Sequence, residues 1–465
     1  MNPIGELEAA LSRYSFAWLG FLALNGYGLG RHVSLDLLVL REYGLDDAWA
    51  ASELGAEVLS LERETGTRIR GVGVGLRPLF EGTFGERVSS ALLSGERPRV
   101  VVSPRGVAGL EALASRSDGR VRVAAAPAHF MDLLNDKMAL RRALPELGIE
   151  PLPHVIQPLS AANFAEIRER FGLPFVVQLA GSSGGAGTFF VSAEEELASL
   201  RDRLGRQDVI LSKYVSGLAP NINAVVLDDD VLVSYPSMQV VGAPECVGWP
   251  SGYCGNDFTA TQRLPEVALS AIYDQTRKIG TWVGKQGFRG MWGIDFVVEG
   301  SRVYPLEVNP RFQGSTRLLT ELEYLSGQAP LVLAHVLGFL EGGQDLLRRV
   351  RADLGGLKPL QGAQLDVRCR EDEWSVVNGS LQAGVYRWAD GQGIYLRPGM
   401  TIADCASRDE FVLTGTVPRR GTRLEPAAHL LRIQTPRSVL ESDSTRLQPW
   451  ASSLTNWVYE SLDVS

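Results

Sequence analysis

Apolar runs broken by polar and glycine-rich punctuation divide this chain into alternating strand and helix candidates. Arg99-Val100-Val101-Val102-Ser103 reads as a short buried strand ending at Pro104-Arg105-Gly106, with a helical run over 107–114 and a second strand at 121–125. Strand, glycine-containing loop and helix in succession predict parallel βαβ packing. Residues 174–191 read as strand, loop of small residues, strand, and a helix follows over 193–204. Residues 209–217 predict a strand leaving into a turn, and 221–227 predict one arm of a further hairpin. Two apolar runs, 292–298 and 303–308, flank Glu299-Gly300-Ser301-Arg302. That is the pattern of an antiparallel hairpin. Residues 328–340 carry helical periodicity, with Gly342-Gly343 near their end. Beyond about residue 350 short strands between Pro-Gly and Gly-Thr turns predict a β-rich region, closed by a helix near 453–462.

Composition narrows the class. At about 150 residues per domain, 465 residues make room for about three domains. Hydrophobic content of 45% and charged content of 22% are those of a globular protein. A net charge of −8 argues against a polyanion-binding surface, so no nucleic-acid partner is expected. The apolar run 16–24 is too short to span a bilayer. Glu6 and Glu8 precede it where a signal peptide needs positive charge. Cys246, Cys254, Cys369 and Cys405 lack metal-type CxxC spacing and read as reduced thiols. The expectation is a cytoplasmic protein with no membrane partner.

Candidate chemistry concentrates in the 292–308 hairpin. Asp295 interrupts its first strand; Glu307 and Asn309 end its second, two residues apart and so on one face. Together the three form a set of hard oxygen ligands suited to Mg²⁺ that also holds nucleotide phosphates. Arg311 adds a cation able to fork onto a phosphate or carboxylate. Upstream, Asp136 is a good helix N-cap, and the helix it opens should end near Pro145 or Gly148. Lys137 then stands in a first turn, where the macrodipole disfavours a cation unless an anion is nearby. A solvated surface lysine is the plainer reading of this residue alone. The run Gly181-Ser182-Ser183-Gly184-Gly185-Ala186-Gly187 can expose backbone N–H groups to a phosphate. The segment 71–75, Gly71-Val72-Gly73-Val74-Gly75, lacks the full dinucleotide fingerprint.

Asp295…Glu307-x-Asn309-x-Arg311 resembles the metal-binding hairpin of the ATP-grasp superfamily, and Gly287-Phe288-Arg289-Gly290 is similar to its biotin carboxylase branch. The resemblance covers about 131–345. It implies an ATP-grasp fold of the α/β class with an N-terminal α/β domain (1–130), a nucleotide-binding and catalytic region (131–345) and a β-rich C-terminal domain (346–465). Within the middle region, 131–205 would include a glycine-rich lid and 206–345 the metal-binding core. It implies that Lys137, Gln178, Gly181, Ser182, Ser183, Gly184, Gly185 and Gly187 meet ATP phosphates. Ser212, Lys213, Tyr214 and Val215 would form the hinge whose backbone reads adenine. Asp295, Glu307 and Asn309 would hold Mg²⁺, two ions in the family's usual arrangement, a role Mn²⁺ can also fill. Arg311 would stabilise an acyl phosphate, with Arg289 as a weaker candidate. Gln178 is a departure, since the family usually places a lysine there.

The implied activity is carbon–nitrogen ligation: ATP phosphorylates a carboxylic acid and an amine attacks the acyl phosphate. Amino-acid or small-peptide substrates are expected from what the superfamily does, and a homo-oligomer is compatible with it. The neutral Gln178 motivates an alternative, a nucleotide-binding pseudo-ligase without turnover. A biotin-type carboxylase is disfavoured. Ser237-Met238-Gln239 continues into Val240-Val241-Gly242 instead of the Arg, His and Lys of carboxylases, and Ser315 stands where their bicarbonate-handling glutamate would be. The loop 245–258, with Trp249, Tyr253, Asn256 and Asp257, is a candidate pocket wall. Asn221 and Asn223 could face phosphates, although turn-side asparagines are the commoner explanation.

Overall fold

The computed structural model describes residues 3–66, 69–70, 75–182, 184–350, 357–442 and 446–465. Ser183 and residues 71–74 of the glycine segment lie outside them. The first 125 residues build a five-stranded parallel sheet ordered Glu57–Ser60, Leu35–Leu40, Ser15–Gly20, Arg99–Val102, Val121–Ala124. Period-two alternation sends Phe16 and Trp18 to one face and Ala17 and Leu19 to the other, and helices bury both. The chain leaves the central strand Ser15–Gly20 in one direction and returns on its other side at Arg99–Val102. Ligand crevices of open α/β sheets form outside the carboxyl ends of strands at such a reversal. Phe21, Leu22, Pro104 and Arg105 follow these two strands and border the cavity described below.

A four-stranded antiparallel sheet follows: His154–Pro158, Asp208–Lys213, Phe175–Leu179, Thr188–Val191. Helices Phe164–Phe171 and Glu194–Leu204 close over it, with Ile167, Phe175, Val177, Leu197 and Leu211 in a separate core. Three short strands, Ser375–Val376, Arg423–Leu424 and Ile69–Arg70, make a small sheet of their own, and the other strands form an 11-stranded sheet. It runs from the hairpin Gly290–Glu299/Arg302–Asn309 through Pro220–Val226, Ser237–Val241 and Tyr253–Asp257 to Ala363–Arg368 and the C-terminal strands. Most of the C-terminal strands therefore extend the sheet that carries the 290–309 hairpin. The amphipathic helix Glu266–Lys285 covers one face through Ile272, Ile279 and Val283.

One boundary departs from the sequence pattern. The helix expected over 328–340 starts only at Leu331 and stops at Gly338, and a second helix, Gly343–Val350, begins where its end was placed. Pro330 biases the residue before it away from helical backbone, and Gly342 takes a left-handed φ of 72° that separates the two helices. Among the described residues no helix is long and apolar enough to cross a membrane.

Candidate active site

The hairpin register places Asp295 directly opposite Glu307 and Gly293 opposite Asn309, with an irregularity just after Asp295. Asn309 Nδ2 donates to Asp295 Oδ2 at 3.2 Å, and Gln313 Nε2 donates to Asp295 Oδ1 at 3.0 Å. Burial, and next the facing Glu307, push the Asp295 carboxyl up to about 7, against the pull of Arg311, Asn309 and Lys137. Two opposed carboxylates and an amide oxygen are hard oxygen donors that could hold a divalent cation completing its shell with phosphate and water oxygens. Among the described residues no group of three or more His, Cys, Asp or Glu side chains gathers to hold a metal.

Asp136 caps its helix as expected, accepting from Met138 N at 2.8 Å. Lys137 is no surface lysine: it is 2% exposed. Its Nζ lies 3.0 Å from Glu307 Oε2 and donates to Ser182 O at 2.9 Å. One ammonium thus joins the helix N-terminus, the glycine-rich loop and the 290–309 hairpin. One turn on, the buried Arg141 donates to Pro305 O behind Glu307, and burial lowers its pKa to about 10. The loop rests on residues 245–258. Ser251 Oγ donates to Gly185 O at 2.9 Å and Thr188 O at 2.8 Å. Gly185 has φ 82°, and a Cβ there would lie 1.7 Å from Ser251 O, so only glycine permits this approach. Gln178 Nε2 is engaged by Thr188 Oγ1 at 3.2 Å.

Asp295, Glu307, Asn309, Gln178, Gly184, Gly185 and Ser251 border one cavity of about 1100 Å³, whereas Lys137, Arg141 and Ser182 stand behind its wall. The exit of strand Asp208–Lys213 lines it through Ser212, Lys213, Tyr214 and Val215. Lys213 Nζ is 2.6 Å from Glu299 Oε1, and Tyr214 packs edge-on against Phe190. Arg311 also faces the cavity, donating to Asn309 Oδ1 and Phe312 O, each at 3.1 Å. Beside it stands Arg105 from the N-terminal sheet, whose pKa burial and Arg311 lower to about 10. Sequence reasoning quoted Arg105 only as a turn residue. Nothing local distinguishes it, because 206 positions of chain separate it from Arg311.

Some expectations need correction. Arg289 does not reach the cavity: its Nε pairs with Asp228 at 2.6 Å and its Nη1 donates to the carbonyls of Gly284 and Phe288. It fastens the hairpin's entry to a neighbouring helix. Lys137, Gly181, Ser182 and Gly187 do not border the cavity, unlike Gly184 and Gly185. Asn221 and Asn223 sit in a central strand, not a turn, and of the two only Asn221 borders the cavity. Asn221 accepts from Ser237 Oγ and Asn256 Nδ2, while Asn223 holds Ser315 and Thr316. Of the loop 245–258, Tyr253 lines the cavity and donates to Asn256. Asp257 instead receives Ser438 Oγ, Val439 N and Leu440 N from the C-terminal segment, and Trp249 does not border the cavity.

Residues 134–315 match the model of the ATP-grasp domain. The chain is 24% identical over 324 residues to the carbamoyl phosphate synthase large chain of Thermus thermophilus, covering 68% of this chain and 30% of that protein. It thus spans less than a third of this relative's length. It superposes on the biotin carboxylase domain of Hydrogenobacter thermophilus 2-oxoglutarate carboxylase, solved with MgADP, ADP and bicarbonate, at a TM-score of 0.53 and 12% identity, covering 91% of this chain and 86% of that one. It also superposes on the phosphoribosylamine–glycine ligase of Thermotoga maritima, at a TM-score of 0.53 and 14% identity, covering 97% of each chain. At such identities these likenesses concern the fold.

Proposed function

This chain carries an ATP-grasp domain, flanked by an N-terminal parallel α/β sheet and β-rich C-terminal strands, and on that premise we propose that it is an ATP-dependent carboxylate–amine ligase acting through an acyl phosphate. The observation that carries the reading is the convergence at Lys137, which touches both the glycine-rich loop and Glu307 of the metal hairpin. Phosphates held under the loop would therefore lie against the carboxylate pair.

Asp295, Glu307 and Asn309 would hold Mg²⁺, which neutralises charge on the phosphates when bound. The backbone of Gly184 and Gly185 would cradle the phosphates, with Lys137 behind the loop holding the Ser182 carbonyl and Glu307. Ser212 to Val215 wall the base. An oxygen of the acid's carboxylate attacks the γ-phosphorus and the bond to ADP breaks. The amine nitrogen then attacks the acyl carbon, phosphate leaves, and the nitrogen loses its proton. Arg311, with Arg105 beside it, stabilises the negative charge on the acyl phosphate and its tetrahedral successor. Ser315 is buried and bonded to Asn223 at 2.9 Å, so this position offers no base for a bicarbonate reaction.

The test is phosphate release from Mg·ATP with pools of amino acids as acids and amines, and Glu307→Ala as control. Substrate-dependent phosphate that disappears in the control is the expected result. Pyrophosphate release would mean adenylation and overturn the acyl-phosphate route.

A second reading, nucleotide binding without turnover, draws on one observation: Gln178 is neutral and its amide is engaged by Thr188. A wild type that binds ATP without turnover, with activity gained in Gln178→Lys, would favour it.

A further inference from the structure

One end of the cavity is walled by Arg317, Arg368, His429 and Arg432, which the ligase reading does not use. Arg317 is 5% exposed; its Nε pairs with Glu321 at 3.2 Å and its Nη2 donates to Met400 O and Thr414 Oγ1, while its buried Nη1 has no partner. Arg432 Nε donates to Asp366 Oδ1 at 2.9 Å and its Nη1 donates to Asn25 Oδ1 at 3.0 Å. Arg368 donates to Ala427 O through Nη1 at 3.2 Å, and its buried Nε has no hydrogen-bond partner. His429 Nε2 stands 4.0 Å from Asp366 Oδ1, also without a hydrogen bond. Burial pushes the His429 pKa down to about 3, so at neutral pH the ring adds no charge.

Three guanidiniums thus face two carboxylates, Glu321 and Asp366, both already engaged. Arg70 lies close behind. Buried N–H groups left without acceptors carry a desolvation cost that an incoming oxygen removes. The cluster also connects to the metal hairpin. Gln313, bonded to Asp295, precedes Gly314, whose carbonyl accepts from Gln364 Nε2 at 3.4 Å; Gln364 Nε2 also reaches Asp366 at 3.2 Å. A molecule with one end at the hairpin can therefore present its other end to the arginines within the same cavity.

We propose that Arg368 and Arg432, backed by Arg317 and His429, bind a carboxylate of the substrate pair distinct from the one that is activated. The guanidinium fork matches carboxylate geometry, and the modest excess of positive charge suits a singly charged group. This rests on the ligase reading. Its source is either the α-carboxylate of an amino acid serving as the amine or the second carboxylate of a dicarboxylic acid.

The test uses the full chain with Mg·ADP and thermal-shift titration of single amino acids, four- to six-carbon dicarboxylates, and the methyl ester of each. A free acid that stabilises the wild type, with its ester failing to do so, is expected; which class binds identifies the source. Arg368→Gln, and Asn25→Asp, which would set a competing carboxylate on Arg432, should weaken that acid about tenfold or more. Both should keep the Mg·ADP shift, which shows that they fold. No response to any free acid, equal response to acid and ester, or undiminished binding in both variants would overturn the proposal. Phosphate release from Mg·ATP, measured on the same proteins with the acid that binds and a pool of amines, separates the two readings. Acid binding without release sinks the ligase and leaves the subsite, whereas release indifferent to both substitutions sinks the subsite and leaves the ligase.

Discussion

Lys137 shows how far a single side chain departs from its local context. A lysine in the first turn of a helix is unfavourable against the macrodipole, yet here it is buried against Glu307 and the Ser182 carbonyl. It supplies near the glycine-rich loop the charge that Gln178 lacks. Charge-assisted hydrogen bonds are worth roughly 1.5–3 kcal/mol. Lys137→Met should therefore raise the apparent Kd for Mg·ATP by about ten- to a hundredfold in isothermal titration; an unchanged Kd would mean that the ammonium serves only to pair Glu307. The shared face of Glu307 and Asn309 was legible from their spacing, and the hairpin pattern set Asp295 on the neighbouring strand. The burial of Lys137, the displacement of Arg289 and the presence of Arg105 were not, since each depends on partners remote in sequence.

At the scale of elements, periodicity and punctuation located the strands and most helices, and the Asp136 cap formed as its residue type dictates. The 328–340 segment failed because a proline inside a periodic run outweighs the period. The connection so created holds a titratable group. Glu323, at the end of helix Thr316–Leu325, accepts from Leu331 N at 2.9 Å. Burial raises its pKa to about 8, the backbone bond opposing. Between the ordinary carboxylate range and pH 8 the folded chain keeps a proton that the unfolded chain has lost, so stability falls as pH rises through that window. The difference approaches roughly 3–5 kcal/mol at full ionisation. Glu323→Gln should gain stability relative to wild type from pH 5 to pH 8 and level off above, read from urea unfolding at each pH. A variant that loses ground over that range would show Glu323 to be ionised in the fold.

Across the whole molecule, most C-terminal strands are integral to the sheet that carries the 290–309 hairpin. Ala363–Arg368 pairs with Tyr253–Asp257, and Asp257, fully buried, depends on Ser438, Val439 and Leu440 for its hydrogen bonds. Asp46 receives Thr416 N at 2.5 Å, fastening the N-terminal sheet to the same strands. A chain ended at residue 350 would expose a sheet edge and strand a buried carboxylate. It should show no cooperative thermal transition by circular dichroism; a sharp transition together with retained Mg·ADP binding would instead make the C-terminal strands a separate unit. By itself the sequence determined what local spacing can encode: the strand and helix candidates, the Asp136 cap, the shared face of Glu307 and Asn309, and the glycine run that can approach a phosphate. The tertiary structure alone decided which of these meet. Packing the three sheets around one cavity brings Arg105 to Arg311, Asn25 to Arg432 and Lys137 to Glu307. Those pairings are set by burial and by strand order between segments far apart in the chain, which no local pattern records.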